Sequence, residues 1–405
     1  MLLSVIKEIE QIGFKIVCLI SDNNIINRKA FELLTPNKLL QPVIPHPFDA
    51  ERLLFILFDS VHILKCIRNN WLSSKNNGTL TFPDRKNYSI FQKAYLKNFE
   101  MLFQMEQKSL IKYGHLLSRK VLYLSSIQKQ NVNLALKLLN EKNTTALKCI
   151  SKHYPTTFRD IEGTCSFIET VVTWWKIMNV CSPYEGRHLN DLYREPIRFD
   201  NATQLNFLKD MTLWLKNWKL SVHSNNGLSP QTFQSLITVN EAVVQLIPYL
   251  FQKYKMDYIL LGKFQTDDLE ARFGAYRQLS GSNYYISFVQ VLENERKLRF
   301  KSCVIVSAKN LNVPLKTLIP LEERSRETVD VNLYDDVLHD SFSVECVPDD
   351  VLPILTYISG FVVRKELNKK QCVTCITWFQ LDKTHEDGYL RPFTAFTCYP
   401  APVSF

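Results

Sequence analysis

The sequence predicts an α/β protein interrupted by a large all-α insertion. Three observations carry that prediction. Two apolar runs, FKIVCLISD (14–22) and LLFILFD (53–59), each end in aspartate. From about residue 60 to 255 helical periodicity takes over. Strand-like spelling then returns at 257–264, in DYILLGKF.

The elements follow in order. Leu2, Ile6 and Ile9 fall at i, i+4 and i+7, a helix that Gly13 stops. The runs at 14–22 and 53–59 read as strands buried on both faces, the pattern of a parallel sheet covered by helices. Between them, Asn27–Leu34 is helix-like and TPNKLLQPVIPHPF reads as a loop. Helical spelling dominates SIFQKAYLKNFEMLFQMEQKSLIKYG and NVNLALKLLNEKN. In SPQTFQSLITVNEAVVQLIPYLFQKY (229–254), Ser229 is the expected N-cap and Pro230 the first helical residue. Residues 310–350 are acidic and irregular, as a solvated linker is. The expected organisation is an α/β part at 1–75, a helical insertion at 76–255, a second α/β part at 256–305, the linker at 306–350 and a small C-terminal segment at 351–405.

Composition excludes several classes. A chain of 405 residues, 46% hydrophobic, is long enough for two or three cores. It holds only 11 glycines and neither GxGxxG nor GxxxxGK[ST], so no glycine-rich phosphate loop is spelled. The net charge of +9 suits a polyanion partner such as nucleic acid. Ten scattered cysteines read as free thiols of a reducing compartment. Charges at Lys7, Glu8 and Glu10 break the opening as a signal peptide. Apolar runs such as LLFILF fall far short of the ~20 residues a membrane span needs, so no membrane is expected.

The acids offer two readings each. Asp22 and Asp59 end strands at the edge where ligands gather in open α/β sheets. Oxygen donors there suit Mg²⁺; the plainer role is a cap on the following helix. KFQTDDLEARFGAYRQLSG (263–281) places Asp267, Asp268 and Glu270 within four positions. Thr266 is the expected N-cap, and Leu269, Phe273 and Tyr276 form a core stripe. Glu270 shares a side with Asp267, Gly274 and Arg277, so that side is either a cation site or an acidic first turn complementing the helix dipole. His62, Lys65 and Arg68 line one face and could bind phosphate or brace a carboxylate. Cys372 and Cys375 have zinc-like spacing, completed by Cys346, His385 or Cys398, or are simply thiols. The tryptophans of TWWKIMN (173–179) either stack a base or fill a core.

Taken together, GFKIVCLISDNNIINRKAFELL, FDSVHILKCIRNNWL, YILLGKFQTDDLEARFGAYRQLSGSNYYISF and TYISGFVVRKELNKKQCVTC make the chain resemble the P-element-type transposases, the family that includes THAP-domain transposases. The resemblance implies a ribonuclease H-like fold interrupted by a GTP-binding insertion, and a DDE acid triad holding Mg²⁺ for DNA cleavage and joining in the nucleus. Asp22 matches the second acid of that triad and Glu270 the third. Asp267 matches an accessory acid, and Asp59 with His62 a supporting D-x-x-H element. The family's first aspartate lies upstream of the opening helix, so the chain is expected to be an N-terminally truncated fragment or domesticated relative, inactive alone. Where the family has an aspartate that reads guanine, this chain has Lys176, with Asn179 retained. An ammonium accepts no hydrogen bond, which weighs against GTP. DNA and further copies of the chain are the expected partners. The alternatives are a non-enzymatic DNA-associated or protein-binding remnant and a GTP-responsive assembly module.

Overall fold

The structure, a computed structural model, describes residues 1–35, 37–199, 203–221 and 227–310. The C-terminal segment, including Cys346, Cys372, Cys375, His385 and Cys398, lies outside the described residues, as does the linker from residue 311. The first part runs α1 (Leu2–Gln11), β1 (Cys18–Ser21), α2 (Ile25–Glu32), β2 (Val43–His46), β3 (Asp49–Phe58) and α3 (Ser60–Trp71). A hairpin follows, β4 (Thr79–Pro83) and β5 (Phe91–Tyr95). Then come α4 (Lys97–Met105), α5 (Arg119–Leu122), α6 (Val132–Leu138), α7 (Glu141–His153), α8 (Ile161–Met178) and α9 (Glu185–Leu189). The remainder is α10 (Thr203–Ser221), α11 (Pro230–Tyr254), α12 (Asp267–Leu279) and α13 (Phe288–Asn310).

The architecture is mixed α/β with small sheets. The first sheet has the order β1-β3-β2, with β1 parallel and β2 antiparallel to β3. Leu54 to Phe58 of β3 are all buried, the two-faced burial their apolar run predicts. The strand β1 is shorter than its apolar run and only half-buried; among the described residues it pairs with β3 alone. Polar contacts tie α1 down: buried Arg52 donates to half-buried Glu10 at 2.5 Å, and Glu10 accepts the Ile16 amide at 2.6 Å. On the other side α11 packs on β3, with the Tyr249 ring 5.3 Å from that of Phe55. Ser229 caps α11 through the Thr232 amide, and Pro230 opens it, both as the sequence predicts.

Three elements differ from the sequence expectation. The loop before β3 contains β2, an edge strand whose Pro45 sits where no ladder donor is needed. The block from 60 to 255 contains the hairpin β4–β5, so it is not all-α. Residues 257–264 form no strand; Ile259 makes a single bridge to Ile197, and Leu261–Lys263 is a 3₁₀ turn.

The second sheet is finished by tryptophans. Trp214 and Trp218, one turn apart on α10, donate their indole N–H groups to the carbonyls of Pro83 and Thr81 at 2.7 and 2.8 Å. Trp71 of α3 donates to the Gly78 and Ala94 carbonyls at 3.1 and 3.2 Å. The buried helix α8 lies against β5, and there Gly163 is required: a Cβ would stand 2.3 Å from the Lys93 carbonyl oxygen.

Helix propensity alone favours alanine over glycine by roughly 0.5–1 kcal/mol. Overpacking against fixed backbone costs about 1–3 kcal/mol. Gly163→Ala is therefore expected to lower the urea midpoint. A raised midpoint would show that α8 and β5 are not in this close approach.

Candidate functional site

The site begins with one buried acid. β3 closes on five buried apolar residues, and Asp59 follows it, 0% exposed. Its Oδ1 accepts the Val61 amide at 2.8 Å, capping α3. Its Oδ2 accepts the Thr266 amide at 3.2 Å and the Thr266 hydroxyl. A buried carboxylate is tolerated only with such donors. There are three here: one caps α3, and the two from Thr266 join the end of β3 to the start of α12.

Thr266 occupies the N-cap position of α12, but its hydroxyl serves Asp59 rather than its own helix. One turn on, Glu270 Oε1 stands 3.2 Å from His62 Nε2 and 3.4 Å from Thr266 Oγ1. The Glu270 side chain is 61% exposed, and His62, in the first turn of α3, is 27% exposed. Ligand atoms of Asp59, His62 and Glu270 all lie within 4.8 Å of one another. Among the described residues, Glu270 Oε2 has no hydrogen-bond partner. The site thus offers one open carboxylate oxygen beside a histidine, over a buried acid whose two oxygens are engaged.

The approach to α12 is fixed from the far side. The Gln265 amide nitrogen donates to Ser60 Oγ at 2.9 Å, to Asn179 Oδ1 at 3.1 Å and to the Met178 carbonyl at 3.2 Å. The Gly262 amide donates to the Val180 carbonyl at 2.9 Å. A Cβ on Gly262 would meet Cys181 Sγ at 2.5 Å, so the backbone passes there only as glycine. No local sequence signal marks Gln265; its partners lie 86 and 205 residues away.

Asp22 leaves the same sheet edge. Ser21 pairs with Phe58 across parallel strands, and the Asp59 amide donates to the Ser21 carbonyl at 2.8 Å. The Asp22 carboxylate accepts from Asn27 Nδ2 at 2.5 Å and from the Asn24 amide at 3.3 Å, and it is not in the Asp59–His62–Glu270 group. Asp267 lies on the exposed face of α12. Partial desolvation, then the charges of Asp59, Glu270 and Asp268, raise its pKa; His62 opposes this. That crowding of negative charge is what a cation would relieve. Arg277 does not face the site alone: its guanidinium lies 4.8 Å over the Tyr284 ring. Of the expected core stripe only Tyr276 is buried; Leu269 and Phe273 are 57% and 42% exposed. Arg68 is buried and donates to the Lys129 and Asn131 carbonyls, so it braces the insertion instead of joining a phosphate-binding line.

Comparison with known proteins shows what the chain is similar to. The family model described as TNP-like, GTP-binding insertion domain matches residues 61–191. The Transposable element P transposase of Drosophila melanogaster is 22% identical over 418 residues, covering 97% of the chain and 51% of the relative. The solved structure titled Drosophila P element transposase strand transfer complex superposes with a TM-score of 0.60 at 21% identity, over 73% of this chain and 63% of that one. The chain resembles the P-element-type transposases in sequence and in fold. It spans about half the length of the curated relative it matches. Inside the matched insertion, Trp174 and Trp175 are buried, as core residues are and base-stacking ones are not. Lys176, in the last turn of α8, is in ion pairs with Glu141 at 2.6 Å and Asp191 at 2.8 Å. Desolvation would lower its pKa, but those two hydrogen bonds outweigh it and the value is raised. Asn179 is engaged by Gln265.

Two outcomes are expected. Thr266→Val leaves Asp59 one donor short in a buried setting, so a stability loss of about 1–3 kcal/mol is expected in denaturant melts. Asp267 behaves oppositely. Its raised pKa means that the folded chain holds the proton to higher pH than the unfolded chain. The resulting destabilisation is absent below the unfolded value and complete above the folded one. Asp267→Asn is expected to raise the melting midpoint at pH 7, with the gain vanishing as the pH falls below the ordinary carboxylate range.

Proposed function

We propose that this chain derives from a DDE-type DNA transposase of ribonuclease H-like fold, acting on DNA in the nucleus with a divalent cation, magnesium by preference. Glu270 and Asp22 are assigned as its ligands. The single observation that carries this reading is the return of Glu270, 208 residues beyond His62, to the edge where β1 and β3 end.

The donors present suit a hard cation. They are carboxylate oxygens with one open position on Glu270, and negative charge is concentrated around Asp267. Asp59 is assigned as a brace, since both its oxygens are taken. When bound, the metal would neutralise charge developing on a phosphodiester. The chain's own residues do the rest. His62 holds Oε1 of Glu270, and Thr266 fixes the first turn of α12 against Asp59. Gln265 holds that turn to α3 and α8. Residues 1–405 supply two carboxylates, and the reading assigns a further aspartate to a strand N-terminal to them. Guanine nucleotide is not assigned to this chain, because Lys176, closed by Glu141 and Asp191, presents no acceptor to a base edge.

One observation favours a second reading, a non-enzymatic DNA-associated or protein-binding remnant: the Asp22 carboxylate is engaged by its own turn. A manganese titration followed by electron paramagnetic resonance separates the two on the chain as it stands. The transposase reading expects saturable binding, weakened at least about tenfold by Glu270→Gln and by Asp22→Asn. In a chain extended upstream by a strand bearing the further aspartate, Glu270→Gln is expected to reduce metal-dependent nicking by at least about 100-fold. Equal binding and nicking with and without Glu270 would favour the remnant.

A further inference from the structure

The turn between α12 and α13 carries an exposed aromatic tip that nothing in the site just described uses. Tyr284 and Tyr285 are 69% and 83% exposed, and Phe288 is 74% exposed. The two tyrosine rings stand 5.2 Å apart at 83°, edge to face, so they are not stacked on one another and ring face is left open. Exposed apolar clusters of this kind mark interaction sites.

The base beneath the tip is braced. Gly281 and Ser282 reverse the chain with φ of +74° and +62°, and the Ser282 amide donates to the Arg277 carbonyl at 2.8 Å. Asn294 of α13, 2% exposed, donates to the Tyr276 carbonyl at 3.0 Å and to Ser280 Oγ at 2.7 Å. Glu295 binds Arg272 at 2.8 Å and Arg299 at 2.7 Å, so its charge is spent within the hairpin. Among the charged side chains left exposed and unspent along α13, Arg296, Lys297 and Lys301 are basic against Glu293, and they stand beside the exposed apolar Leu292, Phe300 and Val306. The Arg277 guanidinium over Tyr284 adds a cation at the tip itself.

We propose that this hairpin is a binding platform for unpaired DNA, with Tyr284, Tyr285 and Phe288 stacking on bases and the basic side chains of α13 meeting phosphates. The charge selects a polyanion over an apolar protein surface. The rings select unpaired bases, whose faces are open, over duplex, whose faces are stacked on one another. The proposal rests on the transposase reading and deepens it. The same helix α12 carries Glu270, about 14 Å along the axis from its C-terminal end. A strand held at the tip would lead toward that carboxylate.

Fluorescence anisotropy on the full chain tests this, with one labelled oligonucleotide offered single-stranded and as duplex. The single strand is expected to bind more tightly. Tyr284→Ala/Tyr285→Ala is expected to weaken single-strand binding at least about tenfold, with little change for duplex and none in melting midpoint. Tyr285→Phe keeps the ring and should bind as the parent does. Lys297→Ala should weaken both forms alike and reduce the salt slope by about 1. Unchanged single-strand binding by the double alanine variant overturns the proposal. So does a change in sedimentation in place of affinity, which would make a second copy of the chain the occupant. The manganese titration reports separately on Glu270, so the platform can fail while the transposase reading stands, and the reverse.

Discussion

A single buried carboxylate holds the described fold to its candidate site. Asp59 terminates the most deeply buried strand, caps the helix that follows, and receives two hydrogen bonds from Thr266. A charge at that depth is stable only while all its donors are in place. The start of α12 is therefore not free to drift, although α12 is itself mostly exposed. The open acid at 270 inherits its position from the closed one at 59. The two acids divide the labour that sequence spelling alone presents as equivalent: one braces, the other faces solvent.

The helical block depends on a second constraint, the satisfaction of a small sheet's edge. In β4, alternate residues turn away from β5, leaving the carbonyls of Thr81 and Pro83 without a strand partner. Two strand residues span about 6.6–6.8 Å, and one i to i+4 step of a helix rises about 6.0 Å. Trp214 and Trp218 therefore meet both carbonyls at once. Their rings continue inward to Phe82, at 6.1 and 5.9 Å. The indoles finish the hydrogen bonding of an edge and fill a core in the same stroke. That is why a two-stranded sheet, marginal by itself, persists inside a helical domain.

What could be read from the sequence follows from how local each cause is. The helix at 230–254 announces itself through Ser229, Pro230 and a long apolar stripe, all within reach of one another. The central strand is readable because five apolar residues in a row need cover on both faces. The hairpin β4–β5 is not, because its strands are five residues long and their partners are tryptophans about 130 residues later. The run at 257–264 spells a strand, yet its neighbours offer one bridge and no ladder. At the site, Asp59, His62 and Glu270 can be named from their motifs, and their meeting is a tertiary fact. The stripe Leu269, Phe273, Tyr276 shows the limit of periodicity: it reports an amphipathic helix without saying what, if anything, covers the apolar side.

The least readable contact is also the one that joins the two regions. Gln265 offers one amide nitrogen to the first residue of α3 and to the end of α8, while Gly262 lets the chain pass against Asn179 and Val180. The end of α8 is thus in direct contact with the residue that precedes Thr266. Any displacement of Met178 or Asn179 must be absorbed within two residues of the Asp59 brace, because the glycine passage has no spare volume. Packed interiors pass such shifts on instead of dissipating them. The insertion and the acid site are therefore mechanically one object at this point, however far apart they lie along the chain.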